Sequence, residues 1–272
     1  MQVSAQAITA KPETVQSDTA LSVLTPFKVI EQTNGVLLSA DRRGYFYVAD
    51  IQGNVQQYKP TSEKGLLYSP PRQTMPTVLD AWNGLNILLY SRGFQEYALL
   101  DRFLTTERLN TVPGAESGFA SMLTLSNDNN LWVLDMSTFS VNKFQLNTGR
   151  LLFSNPLDLR LRKQLKDPIG CTEYQNYLYL TDSSKAVYLF DNTGVYLQTL
   201  GNSDVPVAFV NDYLLRLKGN TLTLEPLPRS PQKKPKSMGL NLEEEAISLA
   251  FSNGKLCVLT KTKLYFFDLN LN

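Results

Sequence analysis

The 272-residue sequence contains no histidine. That absence removes histidine triads, histidine-ligated zinc or iron, and the commonest general base. Any chemistry would have to rest on Asp, Glu, Lys, Tyr, Ser or Cys. Cysteine is scarce as well. Cys171 and Cys257 are the whole complement, and they fall in the fourth and sixth of the repeats described below. A bridge would skip a repeat, and disulfide geometry tolerates little separation, so two buried thiols are expected. Charge of one sign is also missing: Lys+Arg is 26, Asp+Glu is 25 and the net charge is +1. Nucleic-acid binders usually carry a clear basic excess, so that class is set aside. No apolar run approaches the roughly 20 residues of a membrane-spanning helix. No glycine-rich loop precedes a helix in the manner of a phosphate cradle.

What is present is a repeat. Six strand-like runs end at Asp50, Arg92, Asp135, Asp182, Lys218 and Thr260, spaced 42, 43, 47, 36 and 42 residues apart. A period near 40 to 45 built from strands marks the blade of a β-propeller. Each run follows an inner apolar strand, such as Gly35–Ala40, and a turn rich in Asp, Asn and Gly, such as Asp41–Gly44, Asn83-Gly84, Asn127–Asn130, Gln175-Asn176 and Asn253-Gly254. These residues tolerate the left-handed backbone of tight hairpins. A third strand ending near an aromatic follows, as in Val55–Tyr58, and then an outer strand, as in Leu66–Tyr68, Leu151–Phe153 and Val195–Leu197. Phe, Trp and Tyr make up 10% of the chain, and alternation places them between blades, where wide side chains fill the wedge. No ligand is needed to explain them.

The expected fold is therefore all-β: a six-bladed propeller over residues 23–272, preceded by a polar leader at 1–22. The last repeat has room for only three strands, whereas Phe27–Glu31 has no blade of its own. That segment is expected to supply the outer strand of the last blade, closing the ring and removing two exposed edges. The fifth repeat departs most from the pattern. Pro228, Pro231 and Pro235 with Arg229, Lys233, Lys234 and Lys236 read as a surface loop of local charge +4. A second basic stretch, Arg160–Lys166, joins the third and fourth repeats and reads as a short helical turn. At the start, Met1–Ala7 is similar to the small-residue end of a secretory signal. Export to the periplasm or the inner face of the outer membrane is the expectation.

The unit resembles the repeats of six-bladed propellers of the NHL and surface-antigen type. Asp41–Asp50 reads Asp-x-x-Gly-x-Phe-Tyr-Val-Ala-Asp, the form of that unit, and Asp50, Asp135 and Asp182 take its strand-end aspartate position. The resemblance implies the fold, and it implies that these aspartates bind turn amides. The second repeat, with Ser69–Arg72, Ala81–Asn86 and Phe94–Leu104, also resembles uncharacterised exported propellers of Bacteroidota.

The expected role is non-enzymatic: a monomeric interaction or scaffold propeller in a bacterial envelope assembly, partnered by envelope or outer-membrane proteins, with no cofactor or metal assigned. Candidate partner-binding residues are Arg92, Phe94, Glu96, Tyr97, Asp101 and Arg102 in the second repeat, because Arg and Tyr favour interface hot spots. Lys233, Lys234 and Lys236 of the basic loop join them. One alternative is a calcium-dependent hydrolase of the lactonase kind. Its oxygen ligands would come from Asp80, Glu173 and Asn211, with Asn34 and Asp167 as outsiders. The other is a small-ligand or glycan-binding propeller, which predicts an exposed pocket lined by aromatic residues.

Overall fold

The computed structural model describes residues 21–82, 84–114 and 118–271. Its strands form six sheets around a common axis. The chain enters through β1 (Val23–Leu24) and β2 (Lys28–Glu31). Blade one is β3 (Gly35–Ala40), β4 (Phe46–Asp50), β5 (Val55–Tyr58) and β6 (Lys64–Tyr68). Blade two is β7 (Val78–Asp80), β8 (Ile87–Ser91), β9 (Glu96–Leu100) and β10 (Thr106–Thr111). Blade three is β11 (Ala120–Leu125), β12 (Asn130–Asp135), β13 (Ser140–Gln145) and β14 (Leu151–Pro156). The helix α1 (Leu159–Gln164) then leads into blade four, made of β15 (Pro168–Tyr174), β16 (Tyr177–Asp182), β17 (Ala186–Phe190) and β18 (Tyr196–Asn202). Blade five is β19 (Ala208–Val210), β20 (Tyr213–Lys218), β21 (Thr221–Pro226) and β22 (Lys236–Leu240). Blade six has β23 (Ala246–Ser252), β24 (Lys255–Thr260) and β25 (Lys263–Asp268).

Within each blade the strands run antiparallel from the axis outwards. The turns after the first and third strands therefore lie at one end, the hairpin face. The turns after the second strands and the connections between blades lie at the other, the link face. The link face carries α1, capped by Asp158, whose side chain accepts from the Leu161 amide.

Closure follows the expected route. β2 pairs with β25, Lys28 opposite Phe266 through Glu31 opposite Lys263, and becomes the fourth strand of blade six. The Phe27 and Gln32 amides extend the ladder onto the Phe266 and Thr262 carbonyls at 2.9 and 2.7 Å. One pairing was not legible in the repeat pattern. β1 adds to the outer edge of β22 in parallel, Val23 opposite Gly239. Gly239 eases that approach, because a Cβ there would lie 3.1 Å from the Val23 Cγ2 atom and the exposed Val23 side chain would have to shift. The entering chain thus spans blades five and six. The fifth repeat, degenerate in sequence, is a complete blade: Lys236, expected in the basic loop, instead opens its outer strand.

The aromatic residues fill the seams between blades. Trp132, Tyr47, Tyr58, Tyr90, Tyr179, Tyr265, Phe46, Phe190, Phe266 and Phe267 are all essentially buried. Phe46 of blade one meets Phe266 of blade six edge to face at 5.6 Å, so the closing seam is packed as the others are. The strand-end aspartates bind turn amides as the resemblance implied. Asp50 accepts from Gln52 and Asn54, Asp135 from Ser137 and Thr138, and Asp182 from Ser184 and Ala186. On the hairpin face Asp101 and Asp191 do the same with Phe103 and Thr105, and with Thr193 and Val195. Burial alone would raise Asp191, but these hydrogen bonds prevail and hold it below the usual carboxylate range.

Residues 1–20, which hold most of the expected leader, lie outside the described residues. Their removal is expected to change the melting temperature little, because β1 and β2 both begin after them. Removal of residues 1–33 deletes both closing strands, exposes the β25 and β22 edges, and is expected to abolish cooperative melting or cause aggregation. Circular dichroism melts of the two truncations check this.

Candidate functional site

Acidic residues near the hairpin-face ends of three inner strands organise this face. In blade one, Asp41 is fully buried and accepts from the Arg43 and Tyr45 amides at 2.9 and 3.1 Å. Its second oxygen takes the Arg43 side chain at Nε, 2.8 Å away, and the Tyr47 hydroxyl at 3.1 Å. Arg43 is thereby committed to the turn. Its neighbour Arg42 is exposed, has no carboxylate partner among the described residues, and lies over the Trp82 ring at 5.1 Å.

In blade two the buried Asp80 accepts from the Trp82 amide at 3.1 Å and reaches into blade three, where the Thr124 hydroxyl and Leu125 amide donate at 2.7 and 3.1 Å. Burial pushes its carboxyl pKa up, and the three donors oppose that shift. In blade four the buried Glu173 accepts from the Asn127 amide at 3.1 Å and from the Trp132 indole N–H, both in blade three. Lys143 Nζ lies 4.0 Å from Glu173, 2.8 Å from Asp128 and 4.8 Å above the Trp132 ring, so each buried charge has a partner. Blades two to four are therefore bolted together by two carboxylates.

The turns held in this way surround a recess of about 480 Å³ at one mouth of the axial channel, lined by Arg42, Trp82, Asn127, Tyr174, Gln175 and Asn176. Trp82 is half-buried and tilts against Tyr174 at 5.4 Å. Tyr174 is fixed from behind by stacking on Phe209 at 4.4 Å and by donating its hydroxyl to the Asn211 carbonyl at 2.8 Å. Burial raises its pKa, while Gln175 and the Arg42 charge act the other way. Gln175 and Asn176 both have positive φ, 49° and 63°, the two-residue hairpin turn that amide side chains tolerate. Gln175 Nε2 is used on the Asn211 carbonyl at 3.1 Å. The side-chain amides of Asn127 and Asn176 have no partner among the described residues. A second cavity of about 100 Å³ lies among the inner strands, with a mixed lining that includes Leu37, Thr77, Asp80, Cys171, Val207 and Ser248. Burial, then the neighbouring Asp80 and Glu173, push the Cys171 thiol far up, which leaves it a poor nucleophile.

The candidate residues from the sequence divide between the two faces. Arg92, Phe94 and Glu96 lie towards the link face. Arg92 pairs with Asp167 at 2.8 Å, and Phe94 and Glu96 line a separate notch of about 310 Å³ in the seam of blades one and two. Arg72 completes it, its guanidinium 3.5 Å from the Phe94 ring centroid and 2.5 Å from a Glu96 oxygen. Tyr97 is 3% exposed, so as a contact residue it is corrected: strand alternation turns it into the core. Asp101 and Arg102 sit on the hairpin face in the outer turn of blade two, with Asp101 committed to its own turn. Lys233 and Lys234 lie on the hairpin face too. Lys233 pairs with Asp212 at 2.7 Å, while Lys234 is exposed and Lys236 begins β22.

The calcium candidates have other tasks. Asp80 and Glu173 are inter-blade acceptors, and the Asn211 carbonyl receives Tyr174 and Gln175. Asn34 is a positive-φ turn residue and Asp167 holds Arg92. Among the described residues no group of three or more His, Cys, Asp or Glu is placed to hold a metal. The recess itself escaped the sequence reading, which treated Asn127, Gln175 and Asn176 as turn formers only. The available signal was Trp82 and Tyr174 beside the inner-strand turns of two repeats. Asn83, also assigned to such a turn, lies outside the described residues.

The chain is a six-bladed β-propeller, and solved structures share its fold at low identity. The propeller domain of Cps50 (Swd1) from Myceliophteria thermophila is 11% identical with a TM-score of 0.63, covering 90% of this chain and 99% of that one. A streptogramin B lyase is 13% identical with a TM-score of 0.62, covering 89% and 98%. A virginiamycin B lyase from Staphylococcus aureus with quinupristin, inactivated by a histidine-to-alanine substitution, is 11% identical with a TM-score of 0.58, covering 88% and 82%. The likeness is one of fold, and the fold serves enzymes and non-enzymes alike. No protein-family model and no curated protein sequence matches the chain. No helix among the described residues is long and apolar enough to cross a membrane.

Proposed function

We propose that this propeller is a non-catalytic binding module that takes a carbohydrate at the hairpin-face recess. The observation that carries the reading is the recess itself: the half-buried Trp82 ring braced by Tyr174, surrounded by the side-chain amides of Asn127 and Asn176, which have no partner among the described residues, and by the Arg42 guanidinium. An aromatic face accepts the apolar side of a sugar ring, and amides offer both donors and acceptors to its hydroxyls. Catalysis has less support. Glycoside cleavage uses a pair of carboxyl groups flanking the bond, and Asp80 and Glu173, the acids beneath the recess, are buried and engaged. The histidine on which the inactivated lyase variant turns has no counterpart in a chain without histidine.

The notch between blades one and two favours a second reading, a docking role in an envelope assembly. Its walls of Pro70, Pro71 and Pro76 are stiff and its charges, Arg72 and Glu96, are already compensated. An uncharged side chain of a protein partner suits it. Narrowing the notch from its exposed wall by Leu109→Trp is expected to abolish capture of such a partner in a pull-down without lowering the melting temperature; undiminished capture would reject the notch.

The carbohydrate reading is tested by a glycan array followed by calorimetry on the best saccharide. Binding is expected, with a loss of tenfold or more, about 1.4 kcal/mol, in Trp82→Ala. An array without a hit, or a hit indifferent to Trp82→Ala, contradicts it.

A further inference from the structure

The recess is not electrically neutral. Arg42 stands at its edge without a carboxylate partner among the described residues, because Asp41 beneath it is taken by Arg43. The opposite wall is the turn Tyr174–Tyr177 of blade four. Tyr177 pairs across that turn with Tyr174, and the Arg229 guanidinium lies 5.4 Å from the Tyr177 ring. Arg229 opens the proline-rich loop of blade five, which also presents the exposed Lys234. Neither Arg229 nor Lys234 has an ion-pair partner among the described residues, in contrast to Lys233, which Asp212 neutralises. One cation without an ion-pair partner among the described residues, Arg42, lines the recess, and a second, Arg229, lies over Tyr177, the hairpin partner of the recess-lining Tyr174, with Lys234 further along the same loop. The prolines at 228, 231 and 235 restrict the backbone of that loop.

Resting on the carbohydrate reading, we propose that the ligand is an acidic saccharide, with a uronate-type carboxylate on Arg42 and further negative groups along Arg229 and Lys234. A guanidinium matches a carboxylate with two parallel hydrogen bonds, which gives discrimination as well as affinity. Single-stranded nucleic acid would also combine rings with negative charge. It is disfavoured here because binding of that kind stacks successive bases on several aromatics, and the recess offers the half-buried Trp82 beside a Tyr174 that is only 8% exposed. The net charge of +1 gives no general attraction for a polyanion either.

The test is calorimetric titration of the full chain with oligogalacturonate and with the same oligomer fully methyl-esterified, which keeps the rings and removes the charges. An oligothymidylate serves as the nucleic-acid probe. The expected result is at least tenfold tighter binding of the acid form, a preference that weakens with added salt and falls toward unity in Arg42→Gln. A smaller fall is expected in Arg229→Gln. Both residues are exposed, so both variants are expected to melt as the wild type does. Equal affinity for acid and ester overturns the acidic assignment and leaves the carbohydrate reading standing. Binding of neither saccharide, with or without binding of oligothymidylate, overturns the acidic assignment, and the glycan array then decides the carbohydrate reading.

Discussion

The structure depends on how a ring of wedge-shaped sheets is kept in register at its narrow end. Apolar seams resist separation, but the hydrophobic term is non-directional and specifies no hydrogen-bond register. Buried carboxylates do specify one. Asp80 reaches from blade two to the Thr124 hydroxyl and Leu125 amide of blade three, and Glu173 reaches from blade four to the Asn127 amide and Trp132 indole of the same blade. A buried acceptor of this kind is costly unless its donors are in place, so each acid enforces one alignment. Arranged in this way, the acids that lock the blades are also the acids that place the recess. Asp80 holds the Trp82 amide, Glu173 holds that of Asn127, and Asp41 commits Arg43, which leaves Arg42 over the Trp82 ring without a carboxylate partner among the described residues.

This double use accounts for the position of the recess at the ends of the inner strands. The side chains of the recess are on turns, where sequence can vary, yet each turn is tied to the core by a charge that cannot move without leaving donors unpaired. A recess held in this way is preorganised, and preorganisation reduces the ordering cost of any ligand it takes. The link face is built differently. Its ion pairs, Arg72 with Glu96 and Arg92 with Asp167, are partly exposed and contribute little rigidity. Its notch owes its shape to prolines instead.

The fold was legible because its determinants are periodic and local. The strand-end aspartates, the turn asparagines and the spaced aromatic runs each report on one hairpin, and six copies reinforce one another. Phe27–Glu31 could be assigned to the last blade because a three-stranded final repeat leaves an edge to fill. The parallel pairing of Val23–Leu24 with β22 could not, since two residues carry no period and the glycine that admits them, Gly239, is distant in sequence. Lys236 was misread for a related reason: a cation beside prolines looks like loop, although its first outer-strand partner is Leu224. The recess was opaque because its members come from four repeats and look, one at a time, like ordinary turn residues. Tyr97 shows the converse, a residue of interface type that alternation buries.

The central claim is that buried acids hold the turns of the recess. Amide hydrogen exchange tests it most directly, at Trp82, Leu125 and Asn127, whose N–H groups donate to Asp80 or Glu173. The account expects these three amides to be protected as strongly as those of the blade ladders, although Trp82 and Asn127 lie in turns. Exchange at the rate of open turn amides would show that the carboxylates do not hold the recess, and would contradict the account.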